Sequence, residues 1–174
     1  MSTRAVYTFI GDQDAPRHVY KHSDGYPTGA CDAIEAALAF AWRLPRYEND
    51  EFAAAFVAAN KSHTRNRLFE LYRKPKKTAA DRDAIKHHEG YIGYEGGQIR
   101  LIAAASALAP AIEAAAQFAA DAEYRYEVRC QDGELYVKAF ATDYWTEAKE
   151  TEIFSGPLKT MRAWAETYEK RDAA

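Results

Sequence analysis

The sequence predicts an α+β fold: an antiparallel sheet of about five to six strands, with helices packed on one face. Three observations carry this. Val6-Tyr7-Thr8-Phe9-Ile10 and Arg17 to His22 are β-branched and aromatic runs separated by a short polar connection, the pattern of a hairpin. Tyr124, Tyr126, Val128 and Cys130 alternate with Arg125, Glu127 and Arg129. After a Gln131-Asp132-Gly133 turn, Leu135, Val137 and Ala139 then alternate with Glu134, Tyr136 and Lys138. Between and after these pairs, apolar residues recur at helical spacing. Strands joined by tight turns pair antiparallel, and the helices must then cover one sheet face.

The elements follow in order. The polar connection after Gly11-Asp12 is expected to be five or six residues, and the second strand sets His18, Tyr20 and His22 on one face, with Val19 and Lys21 on the other. Ser23-Asp24-Gly25 breaks that strand and Pro27 fixes the backbone ahead of a helix. Thr28 is the expected N-cap, and Ile34, Leu38, Ala41 and Trp42 form the expected core stripe. Leu44-Pro45-Arg46 ends this helix. A second begins near Asn49 or Asp50, buries Phe52, Phe56 and Ala59, and is expected to stop near Asn60. Residues 61–89 then read as a basic helical excursion from the main body: a short helix around Leu68 to Tyr72 ended by Pro75, and another from Ala79 to about Glu89. Gly90, Gly93, Gly96 and Gly97 make a connection, Gln98 to Ile102 a candidate strand, and Ser106 to Ala120 a helix by propensity. Thr151 to Phe154 adds a strand, and Pro157 opens a terminal helix carrying Leu158, Met161, Trp164 and Tyr168.

Length and composition bound the function. The chain has 174 residues, enough for one domain with a proper core, so residues 1–174 are taken as a single domain. With a net charge of −3, nucleic-acid binding would have to come from a local patch. Twelve tyrosines are more than a small core needs, which places some rings at the surface, where they suit an interface. Cys31 and Cys130 are the two cysteines; far apart in sequence, they read as reduced thiols of a cytoplasmic protein. The alanine-rich run 101–120 contains Pro110, Glu113 and Gln117 and is rejected as a membrane span.

Two stretches hold candidate binding residues. The first is His18, Tyr20, His22, Asp24 and Tyr26, within Arg17 to Gly29. There, His22 with Asp24 could make an imidazole–carboxylate pair between tyrosine walls, serving a small molecule or nucleotide. The structural alternative is that His22 and Asp24 satisfy the backbone of a tight turn while Tyr20 packs. His18 and His22 lie roughly 13 Å apart along a strand, too far to share one metal ion unless a bulge intervenes, and no metal or cofactor is expected. The second is the run Lys61 to Lys77, where Arg65, Arg67, Arg73, Lys74, Lys76 and Lys77 are interleaved with Phe69 and Tyr72. That run could contact phosphates and bases or dock on an acidic protein, its structural alternative being a solvated helical face. Arg46 joins the list from the Pro45 loop, beside Glu48, Asp50 and Glu51, whose carboxylates read as helix-start charges. No P-loop, G-x-G-x-x-G, G-x-S-x-G, H-E-x-x-H or paired C-x-x-C occurs, which weighs toward binding over catalysis.

At Val19-Tyr20-Lys21-His22-Ser23-Asp24-Gly25-Tyr26-Pro27, Leu44-Pro45-Arg46-Tyr47-Glu48 and Asp50 to Lys61, the chain resembles small bacteriophage and prophage proteins with no assigned activity. The resemblance covers mainly residues 5–61, with Glu123 to Val128 in the second half. It carries no catalytic residue over. It implies a phage accessory protein acting in the cytoplasm of a bacterial host. The expected function is non-enzymatic binding and inhibition of a host protein or ribonucleoprotein, such as a CRISPR effector or another defence component. Nucleic-acid contact through the basic arm is the subsidiary expectation, and monomer and dimer are both left open.

Overall fold

The computed structural model describes residues 3–86, 99–102, 122–143 and 149–172, with backbone alone for 61–70, 99–102, 143, 149 and 172. In chain order the elements are β1 (Ala5–Phe9), β2 (Arg17–Lys21), α1 (Pro27–Leu38), α2 (Asn49–Arg73), β3 (Ile99–Ile102), β4 (Tyr124–Gln131), β5 (Glu134–Asp143), β6 (Lys149–Pro157) and α3 (Leu158–Asp172). Residues 79–86 are also helical. The strands form one six-stranded sheet in the order β3-β2-β1-β4-β5-β6. The fold is α+β, as its sequence pattern predicts, but the sheet is mixed. β1 runs parallel to β4, with Tyr7 opposite Tyr126, while the other described pairs are antiparallel. The N-terminal strand therefore lies inside the sheet, and all five of its residues are buried.

The two sheet faces differ in chemistry. On one, Tyr7, Phe9, Val19, Tyr126, Val128, Leu135, Val137 and Ala139 meet the helices in a single apolar core. Aromatic contacts dominate the α2 side: Tyr7 to Phe56 at 4.6 Å, Phe9 to Phe52 at 5.4 Å, and Tyr7 to Tyr126 at 5.1 Å between ring centroids. Such pairs add about 0.5–1.5 kcal/mol beyond their buried area. Met161 and Ala165 of α3 close the other end of the core, and Trp164 stacks on Phe154 of β6 at 4.8 Å. Residues of opposite parity face away from the helices. There Arg125 is gripped by Glu127 and by both Glu150 oxygens, over the Phe140 ring at 4.0 Å. A β-bulge between Ala139 and Phe140 shifts the β5–β6 register beside that cluster.

Four local expectations are corrected. The connection between β1 and β2 spans residues 10–16, longer than expected. The β4–β5 turn has two residues, not three: Gln131 pairs with Glu134, while Asp132 (φ 51°) and Gly133 (φ 78°) take the positive dihedrals of a type I′ turn. Thr28 does not cap α1. Tyr26 holds the N-cap position without a side-chain bond, Pro27 starts the helix, and the Thr28 N–H and hydroxyl both donate to the Glu169 carboxylate of α3, at 2.7 and 3.0 Å. Helix α2 does not stop at Asn60. No proline or glycine interrupts it before Pro75, and the Asn60 amide donates to Ala33 O of α1 (3.1 Å) and Phe56 O (2.8 Å) instead of capping an end. The excursion thus begins as a continuation of α2. The expected end of the second arm helix near Glu89, the glycine connection and the helix 106–120 lie outside the described residues.

The turn from β2 into α1 is compact because two glycines permit it. A Cβ at Gly25 would stand 2.7 Å from Ala5 Cβ and 2.9 Å from the Ala5 nitrogen; one at Gly29 would stand 2.5 Å from Asp24 O. Gly25→Ala is expected to cost about 1–3 kcal/mol, since backbone on a buried strand must give way. Urea unfolding reads this directly, and an unchanged midpoint would show that the turn can shift freely.

Candidate functional site

β2 sets His18, Tyr20 and His22 on the sheet face away from the helices, as alternation requires. Thr8 Oγ1 and His18 Nδ1 lie 3.0 Å apart across the β1–β2 pair, and Tyr20 Oη lies 2.9 Å from His22 Nδ1. Among the described residues, the hydrogen-bond partner of His22 is therefore Tyr20 and not Asp24. Asp24 occupies the left-handed region at φ 54°, which aspartate tolerates better than most residues. Its carbonyl, with that of Ser23, accepts from Lys21 Nζ at 3.1 and 2.6 Å. Tyr26 stands on the helical side, and its hydroxyl is pushed above the usual phenol range, first by desolvation and then by Asp24, Glu169 and Asp32. The sequence-predicted corner thus divides: His18, Tyr20 and His22 share one side, while Asp24 and Tyr26 belong to the turn and helix start.

The His18 imidazole is held below its usual range, mainly by burial and secondarily by the Arg125 cation. Both effects disfavour the protonated ring. The face around it is a polar ladder in which Arg125 is itself paired to Glu150 and Glu127.

The basic run resolves differently from a free cationic face. Arg65 and Arg67 lie on α2, with side chains outside the described ones. Arg73 sits in the last turn of α2, where a cation complements the helix dipole. Lys74 Nζ pairs with Asp81 at 2.6 Å. Lys77 Nζ donates to the Tyr72 and Lys74 carbonyls at 3.2 and 3.3 Å, closing the C-terminus of α2. Arg82 donates to Lys77 O at 2.9 Å. Thr78 and Asp81 cap the next helix reciprocally: Asp81 accepts from the Thr78 N–H and hydroxyl, and Thr78 Oγ1 accepts from the Asp81 N–H. Lys76 is exposed. Three cations of this arm are committed to holding a helix–turn–helix together.

The structure exposes a feature that helical periodicity placed in the core. α1 ends at Leu38, and the chain tightens as Phe40 and Ala41 both donate to Ala37 O. Of the expected stripe, Ile34 is buried and Ala41 packs on the core, while Leu38, the last residue of α1, and Trp42, beyond the turn, are left exposed. Phe40 is 54% exposed and Trp42 39%. The Arg46 guanidinium lies over the Trp42 ring, 3.0 Å from its centroid, with Glu48 at 3.7 Å on its rim. Just beyond, Tyr47 donates to Val128 O (3.1 Å), and buried Asn49 donates to Ala15 O (2.8 Å), fixing the loop to the sheet. Of the predicted binding residues, Arg46 alone belongs to this loop; Phe40 and Trp42 were missed. The readable signal was Trp42 and Arg46 four apart, ahead of Tyr47, in a chain with surplus aromatics.

The chain matches no protein-family model, no curated protein and no solved structure. Among the described residues, no group of three or more His, Cys, Asp or Glu side chains is placed to hold a metal ion. No described helix is long and apolar enough to cross a membrane.

His18 supplies a pH test. Its pKa is lower folded than unfolded, so the unfolded chain binds the extra proton, and stability should fall as pH drops below about 6.5, the ordinary imidazole value. His18→Gln should flatten that part of the stability–pH curve, measured by urea titration. An identical slope in the variant would remove His18 as the cause.

Proposed function

We propose that this protein is a phage or prophage accessory protein that acts inside a bacterial cell by binding and inhibiting a host macromolecule. Defence machinery such as a CRISPR effector is the target class we favour. The phage context rests on the resemblance of residues 5–61. The binding role rests on one observation: a loop fixed to the sheet holds Phe40 and Trp42 in solvent, with Arg46 stacked on the indole. Trp, Tyr and Arg dominate interface hot spots, and a fixed loop loses little entropy when it docks. A small-molecule reading of the His18 corner has weaker support, since its imidazoles already share hydrogen bonds with Thr8 and Tyr20.

The test is affinity capture from bacterial lysate, with and without nuclease, comparing the wild type with Phe40→Ala, Trp42→Ala and Arg46→Ala. A single protein or ribonucleoprotein is expected at near-equal stoichiometry, and Trp42→Ala should weaken its affinity by about 2 kcal/mol, roughly 30-fold. Empty eluates, or capture indifferent to all three substitutions, would defeat the reading.

A further inference from the structure

We infer that the Leu38–Arg46 loop docks a protein segment in which acidic side chains flank an apolar anchor. This rests on the binding reading above and adds the chemistry of the partner.

The loop's composition is one-sided. Between Glu35 and Glu48 the chain has no acidic residue, and Arg43 and Arg46 are its charges. Both arginines are exposed, as are Leu38, Phe40, Trp42 and Pro45. The surface is apolar and cationic within a chain of net charge −3, so it differs in sign from the molecule that carries it. An apolar anchor on the partner would cover Phe40 and Leu38, which solvent now covers.

Arg46 sets the polar half of the match. The indole restrains its guanidinium, so fewer rotamers are lost when a carboxylate pairs with its free N–H edge. Glu48, at 3.7 Å and half exposed, is a loose partner that a better-placed carboxylate can replace.

Nucleic acid fits this surface less well. A base stacking on Trp42 would compete with Arg46 for the ring. Phosphate binding usually draws on many cations, while Lys74, Lys77 and Arg82 are bound to Asp81 or to helix-end carbonyls. Two arginines alone make a poor phosphate track.

The experiment is selection of a random-peptide display library on the immobilised full chain, followed by titration of synthesised winners. The expected winners carry Asp or Glu beside an aliphatic or aromatic residue. Arg43→Ala/Arg46→Ala should weaken them by roughly tenfold or more, and added salt should weaken wild-type binding. All substituted side chains are exposed, so unchanged thermal midpoints are expected and are checked. Failure to enrich any peptide, winners without acidic residues, or indifference to the arginine substitutions would each overturn the inference. So would an oligothymidylate that binds this loop more tightly than the peptides, or concentration-dependent self-association abolished by Trp42→Ala. Where lysate capture depends on Trp42 but the selected peptides lack acid, the partner chemistry proposed here is wrong while the binding function stands.

Discussion

The helical side of this protein depends on how closely the turn at Gly25 approaches β1. Gly25 donates its N–H to Thr3 O at 2.9 Å, and its carbonyl accepts the Tyr126 hydroxyl at 2.8 Å. One residue thereby ties the segment entering β1, the helix entry and the central strand β4. The approach leaves no room for a Cβ, so glycine is set by contact distance, not by dihedral freedom. Arg4 O then accepts from both Glu123 and Tyr124, which places β4 beside β1 in parallel register. Tyr7 is locked between Phe56 and Tyr126, its hydroxyl buried without a hydrogen-bond partner among the described residues and its ionisation strongly disfavoured by desolvation. An unmade bond of that kind costs about 1–3 kcal/mol. Burial of the ring and its aromatic contacts offsets that cost.

Charge organises the periphery without carrying the fold. Glu169 brings a carboxylate to the positive end of α1, a helix with no acidic residue in its own first turn, and satisfies the Thr28 N–H there. Arg162 of α3 bridges Asp32 and Glu35 of α1 at 2.8 and 2.6 Å, but all three side chains are substantially exposed. Pairs of that kind contribute about 0–1 kcal/mol each. They orient α3 along α1, while Ile34, Met161 and Ala165, all fully buried, supply the larger apolar gain.

What the sequence disclosed follows from which information is local. Alternation in 124–131 and 134–139 and the stripe Phe52, Phe56, Ala59 report burial residue by residue, and both were legible. The parallel β1–β4 pair was not, because nothing near Val6 or Arg125 records which distant strand lies alongside. The end of α2 was misread because asparagine is ambiguous: it caps helices, but at position 60 it reaches across to Ala33 O. The exposed loop was misread for a related reason. Helical spacing from Ile34 to Trp42 is real in the sequence, and Ile34 and Ala41 do meet the core, but the helix ends at Leu38 and leaves Leu38 and Trp42 exposed. In the His18 corner, Tyr20 on the same strand took the contact with His22 that a sequence reading offers to Asp24, and the β1–β2 register, which no local pattern records, set Thr8 against His18.

The loop and the core are coupled through two residues that make no outward contact. Tyr47 packs on Phe52 at 5.3 Å and donates to Val128 O, while Asn49 is fully buried and bonded to Ala15 O. Gly11 leaves space for Asn49, since a Cβ there would lie 3.1 Å from the Asn49 side chain. These anchors bracket the C-terminal end of the exposed segment, and the turn onto Ala37 O brackets its start. A loop held at both ends presents its aromatic and guanidinium groups in a narrow set of positions. The entropy of ordering them is then lost during folding and not at the moment of association. Exposed Phe and Trp side chains add little to the stability of a free protein and carry an aggregation risk. A complementary surface of the kind proposed above would cover Phe40 and Trp42 and remove that exposed apolar area from water.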